Sequence, residues 1–143
     1  MEHLIWVREA FIPGAVMMKV EAFGRAFQAF DAAIWAYGAG SALVTIWASL
    51  ETLIAPGKSA ITKLLASSVA TMLEAPGSER DRLFAQVKEL YEARGGSAHA
   101  SRAPDTQQLL SSFEIGRRCF MSCMDRRRVP KIEELQEAWR AKK

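Results

Sequence analysis

A chain of 143 residues, half of them apolar and about a quarter charged, is long enough to bury a core of its own and lies far from the disordered class. One domain spanning residues 1–143 is expected, with neither disulfides nor a structural metal needed for folding. The formal net charge of +3 excludes a strongly acidic or strongly basic protein, but the charge is uneven: residues 1–77 hold five Lys/Arg against six Asp/Glu, and residues 78–143 hold fourteen against ten.

The first segment, "MEHLIWVREA", carries Glu2, Arg8 and Glu9 and has neither a basic leader nor a long apolar stretch, so no secretory signal is expected. A short helix over residues 2–11 is predicted to stop before "IPG", because Pro13 disfavours helical geometry at Ile12. A longer helix should follow, since Val16, Val20, Phe23, Phe27, Phe30 and Ile34 recur at steps of three and four and form one apolar stripe. "YGAGS" breaks it.

Ser41 then offers an N-cap for a helix carrying Leu43, Ile46, Trp47, Leu50, Leu53 and Ile54, with Glu51 at the edge of the stripe. The run from Ala32 to Leu50 is uncharged and approaches the length of a membrane span. It is also rich in Ala, Gly and Ser and interrupted by "YGAGS", so no membrane partner is expected. After "APGK", Ser59 is the next candidate cap, for a helix with Ile61, Leu64, Leu65, Val69, Met72 and Leu73 facing inward.

Past "EAPGS", Ser78 should cap a helix whose first turn holds Glu79 and Asp81, where acidic side chains suit the positive end of the helix dipole. Its stripe runs through Leu83, Phe84, Val87, Leu90 and Tyr91, and the next position on it is Arg94. Gly95 and Gly96 permit conformations that end or kink this helix. A further helix begins near Pro104, carrying Leu109, Leu110, Phe113, Phe120 and Met124, and Pro130 opens a last short helix to Trp139. No strand-like alternation of useful length is present. The expected fold is an all-α bundle of four to five core helices, with a core at about 14–128 and short flanking helices at 1–13 and 130–143.

Cys119 and Cys123 lie four apart in a helical segment, where side-chain directions disfavour a disulfide, and they read as reduced thiols of a cytoplasmic protein. They form no zinc-type spacing with the two histidines, and neither metal nor cofactor is expected. From Arg94 to Lys131 there are eight basic residues against three acidic ones. That stretch suits an anionic partner such as RNA, or a solvated basic helix face.

The candidate chemistry lies in "LYEARGGSAHAS", residues 90–101. In an unbroken helix His99 would sit roughly 140° around the axis from Arg94; a break at the two glycines would allow it to turn back toward the guanidinium. Arginine holds phosphate oxygens bidentately and stays charged, whereas histidine titrates near neutrality and can pass a proton. Such a pair suits metal-independent RNA cleavage, in which the 2′-hydroxyl attacks the adjacent phosphorus and the 5′-oxygen leaves. The competing reading is ordinary helix termination: Gly95 as the C-cap residue, Arg94 as the cation at the helix end and His99 as a loop residue.

"IWASLETLI", followed by an amphipathic helix and then "VKELYEARGGSAHAS", resembles the HEPN superfamily, and most closely its ApeA-like branch. The residues that carry the resemblance are Trp47, Leu50, Glu51, Tyr91, Arg94 and His99, in that order and helical setting. The resemblance spans about residues 20–128. It implies a helical homodimer in which two Arg-x4-6-His motifs form a composite endoribonuclease site, in a bacterial defence or toxin–antitoxin system. RNA is then the expected substrate or ligand, and an antitoxin or a larger defence protein a further partner.

On this resemblance Arg94 and His99 take the catalytic positions, Glu51 is the helix acid that orients the motif, and Tyr91 and Ser97 support it. Active members commonly carry a polar residue directly after the arginine and a glycine after the histidine. Gly95 and Ala100 stand there in this chain. The family also contains catalytically inactive RNA-binding and protein-interaction modules, which is the alternative expectation.

Overall fold

Helix α3 (Ala39–Ile54) lies at the centre of the molecule, against α2 (Glu21–Ile34), α4 (Thr62–Leu73), α5 (Ser78–Ala98) and α6 (Thr106–Arg126). Helix α1 (Glu2–Met17) packs on α6, and α7 (Ile132–Arg140) packs on α4. The structure, a computed structural model, describes residues 2–55, 57–58, 61–98 and 105–141. Among them are seven helices and no strand, so the protein is an all-α bundle.

The central position of α3 follows from its sequence. Leu43, Ile46, Trp47, Leu50, Leu53 and Ile54, the stripe read from spacing, are all buried, and Trp47 has no exposed surface. A buried indole needs an acceptor for its N–H. Trp47 Nε1 donates to Ser112 Oγ on α6 at 3.1 Å, which ties the two helices together through the core.

Helix α2 meets α6 through aromatic rings. Phe23 stands edge-on to Phe120 with centroids 5.4 Å apart, and Phe30 stacks on Phe113 at 5.1 Å. The approach depends on Gly116, where an added Cβ would lie 2.3 Å from Phe30 Cε2. A stripe of small residues on α6, Ser112, Gly116, Cys119 and Cys123, is buried and receives the larger side chains of its neighbours. Both thiols are free. Burial pushes them up from the ordinary range, Cys123 to about 12, so neither is a reactive thiolate at neutral pH.

Several expected boundaries are corrected. Helix α1 does not stop before Pro13 but runs through it to Met17, and α2 begins at Glu21 rather than near Val16. A proline inside a helix removes one backbone donor and crowds one carbonyl, and here the helix tolerates it. The chain turns instead at residues 18–20. Gly24 allows this turn, since a Cβ there would meet the Met18 carbonyl oxygen at 2.8 Å. Val16, Val20 and Ile34 consequently leave the stripe and are exposed.

Ser41 is not an N-cap. Gly38, with φ of 92°, precedes α3, and Ser41 lies inside the helix with its carbonyl accepting from Thr45 Oγ1 at 2.8 Å. Ser78 is likewise the first helical residue, and Gly77 supplies the carbonyl that accepts from the Asp81 amide. Ser59 lies outside the described residues. Asp105 caps α6 with a reciprocal Gln108 contact, and Leu110 on that helix is exposed rather than inward.

Both terminal helices contribute a side chain to the core. Met17 of α1 and Leu135 of α7 belong to the core cluster. Gln136 of α7 donates to Ser67 Oγ and Ser68 Oγ, both at 2.8 Å, so serines buried on α4 have their partner on the last helix.

Candidate functional site

The sequence-selected residues Glu51, Tyr91 and Arg94 come together where the C-terminal half of α3 crosses α5. Glu51 follows directly on the buried Leu50, and Tyr91 and Arg94 are one helical turn apart on one face of α5. The Tyr91 hydroxyl donates to Glu51 Oε1 at 2.7 Å. It accepts in turn from Arg94 Nη2, and the same nitrogen lies 3.0 Å from Glu51 Oε1. The guanidinium carbon stands 4.1 Å from the centroid of the Tyr91 ring, so the arginine is held by charge, hydrogen bond and ring face at once.

Behind this triad the core continues the network. Trp47 packs edge-on against Tyr91 with centroids 5.6 Å apart, and its indole nitrogen reaches Ser112. Tyr91 is therefore fixed on one side by the central tryptophan and on the other by two charged groups. Its hydroxyl is pushed up to about 12, first by burial and then by the hydrogen bond and negative charge of Glu51; the Arg94 charge opposes the shift. At neutral pH it is a neutral phenol that donates to the carboxylate and accepts from the guanidinium.

Arg94 is partly open, with 28% of its side-chain surface exposed against 30% for Glu51. Its Nε is buried without a hydrogen-bond partner among the described residues. With this unpartnered Nε buried, the site thus presents a partly exposed cation fixed in place from behind. This is what binding a phosphate oxygen asks for, although Glu51 already neutralises part of that charge.

Two expected members are not seen in the site. His99 lies outside the described residues, and so does the side chain of Ser97. The expected break at Gly95 and Gly96 is corrected: α5 continues through both to Ala98. Extending an existing helix adds a hydrogen bond for each residue ordered, and among the described residues no heavy atom outside this stretch of α5 lies within 4 Å of the place a Gly95 Cβ would take. Among the described residues nothing packed against Gly95 forces the helix to end there.

The basic stretch is largely engaged within the protein. Arg117 forms two hydrogen bonds to Glu114, at 2.8 and 2.7 Å, and Arg128 forms two to Glu134, at 2.8 and 3.0 Å. Arg118 pairs with Glu74, just past the end of α4, and Arg126 donates to the Met72 carbonyl. Sequence reasoning missed Ser112, the partner of Trp47. The signal was the spacing of Ser112, Gly116, Cys119 and Cys123 at steps of three and four, a second inward stripe beside the large apolar one.

Among the described residues no cluster of three His, Cys, Asp or Glu is placed to hold a metal ion, and no helix is long and apolar enough to cross a membrane. No family model, curated protein or solved structure matches the chain.

Proposed function

We propose that this chain is a metal-independent endoribonuclease of a bacterial defence or toxin–antitoxin system, acting as a homodimer in which two Arg94/His99 pairs form a composite site. The observation that supports this reading is the Glu51–Tyr91–Arg94 triad. Residues from two helices, picked out together by the resemblance to HEPN proteins, lie in mutual hydrogen-bonding contact around a partly exposed arginine.

In this reaction the ribose 2′-oxygen forms a bond to phosphorus and the bond to the 5′-oxygen breaks, leaving a cyclic phosphate and a 5′-hydroxyl. One His99 takes the 2′ proton, and its counterpart in the partner subunit protonates the leaving oxygen. Arg94 balances the charge that gathers on the phosphate, while Glu51 and Tyr91 hold it in position. The partner in the cell is RNA, with an antitoxin or a larger defence protein restraining or directing the activity.

The second reading is a catalytically inactive RNA-binding or protein-interaction module. It is favoured by Glu51 already occupying Arg94 and by the continuous helix through Gly95 and Gly96. The deciding experiment incubates the purified protein with mixed RNAs in EDTA and looks for fragments ending in cyclic phosphate. Cleavage by the wild type and its loss in Arg94→Ala and His99→Ala supports the nuclease. Equal cleavage by all three sinks the assignment of the site. RNA binding without cleavage favours the module.

A further inference from the structure

A second arginine is more deeply buried than Arg94 and has a different environment. Arg80, on the first turns of α5, is 1% exposed, and Trp47 is the only larger side chain buried to that degree among the described residues. Its guanidinium lies 5.1 Å from the Trp139 ring centroid, and Nη1 makes a long 3.4 Å contact to the Ala138 carbonyl on α7. Nε and Nη2 are buried without a hydrogen-bond partner among the described residues. These two nitrogens form one edge of the guanidinium, the fork that takes two oxygens of a carboxylate or phosphate. A guanidinium stays charged when buried, so an empty fork is costly and calls for an acceptor.

The surroundings supply more donors. Arg80 lines a cleft of about 310 Å³ formed by the end of α4, the connection to α5, and parts of α6 and α7. Thr71, also on its wall, has a buried hydroxyl with no partner, although a helical threonine can usually reach a carbonyl of the preceding turn. Arg126 brings a second guanidinium to the cleft, set by its bonds to the Met72 carbonyl at 3.0 Å and Ser122 Oγ at 3.1 Å. The one carboxylate on the wall, Glu74, is paired with Arg118. Two arginines and a threonine therefore line one space whose only acid among the described residues is already paired.

We propose that this cleft is a binding site for a small oxyanion of the phosphate type, held by the Nε/Nη2 fork of Arg80 and by Thr71 and Arg126. A site made of donors selects a ligand made of acceptors, and a tetrahedral oxyanion can accept from all three side chains at once. The fork has no exposed surface of its own, so access entails outward movement of a side chain at the rim. The site is separate from the Glu51–Tyr91–Arg94 triad, shares no residue with it, and stands whether or not the chain cleaves RNA.

The test is a thermal-unfolding titration of the full chain with inorganic phosphate against sodium chloride at matched ionic strength and pH. The expected result is a saturable rise in Tm with phosphate alone, retained in Arg94→Ala. Thr71→Val, which preserves shape, and Arg126→Gln, at an exposed position, should each weaken the phosphate midpoint by roughly tenfold, the loss of one charge-assisted or buried hydrogen bond. Equal effects of phosphate and chloride would overturn the proposal. So would an unchanged midpoint in both variants, or a crystal grown in phosphate with only water on the Arg80 fork.

Discussion

The Tyr91 hydroxyl and the Glu51 carboxylate, 40 residues apart in the chain, meet at 2.7 Å, and Arg94 closes the arrangement by bonding to both. Each group meets a need of the others: the phenol supplies a donor to the carboxylate and an acceptor to the guanidinium. The carboxylate balances the charge that Arg94 brings against the core.

This arrangement has a pH signature. Tyr91 is pushed up to about 12 in the folded protein from a value of 10.0 in an unfolded chain. Between about pH 10 and 12 the folded state therefore keeps a proton that the unfolded state has lost. The stabilisation from this group is complete below pH 10 and disappears as pH rises through about 12. The chain has two tyrosines, and Tyr37 is fully exposed. In Tyr37→Phe the absorbance of the remaining tyrosinate near 295 nm should rise around pH 12 while far-ultraviolet circular dichroism still reports the fold. A midpoint at 10 in the folded protein would show that Tyr91 does not donate to Glu51.

The ion pair of the triad is expected to contribute measurably. Glu51→Ala leaves a partly buried arginine without its carboxylate, and Arg94→Ala leaves the carboxylate with only Tyr91. A double-mutant cycle by urea denaturation should give a coupling of about 1–2 kcal/mol, above that of an exposed pair because both groups are about two-thirds buried and share the Tyr91 hydroxyl. A coupling indistinguishable from zero would mean that the contact is no more than a surface pair.

Two glycine substitutions should act in opposite directions. At Gly95 the backbone is helical and the space around it open, so Gly95→Ala should stabilise the protein by about 0.5–1 kcal/mol. At Gly116 the new methyl would meet the Phe30 ring, and Gly116→Ala should destabilise by about 1–3 kcal/mol. Chemical denaturation of both variants checks the pair. A loss of stability in Gly95→Ala would restore the hinge that the sequence suggested there.

The stripes of large apolar residues on α3, α4 and α5 are present in the structure as periodicity predicts, because a side chain repeated at three and four positions must share one helix face whatever the fold. Caps were less legible. Ser41 and Ser78 have good capping chemistry, but each is preceded by a glycine and already lies within its helix, since α3 begins at Ala39 and α5 at Ser78 itself. The break at Gly95 and Gly96 was inferred from glycine's intrinsic weakness in helices, a local preference of about 1 kcal/mol per residue. Continuation of a long helix overrides such a preference.

By itself the sequence determined the helical class and the inward faces of the central helices, since these follow from residue type and spacing along a single chain direction, whereas the grouping of Glu51, Tyr91 and Arg94 into one set came from the resemblance to HEPN proteins. Only the tertiary structure decided how that set bonds, that Trp47 is anchored to Ser112, that the last helix satisfies the serines of α4, and that Arg80 is buried. Each of these is a meeting of side chains from different helices. The physical reason is that local periodicity states which face turns inward, whereas the angle and distance at which two faces meet depend on the size of every residue between them, down to the single missing methyl at Gly116.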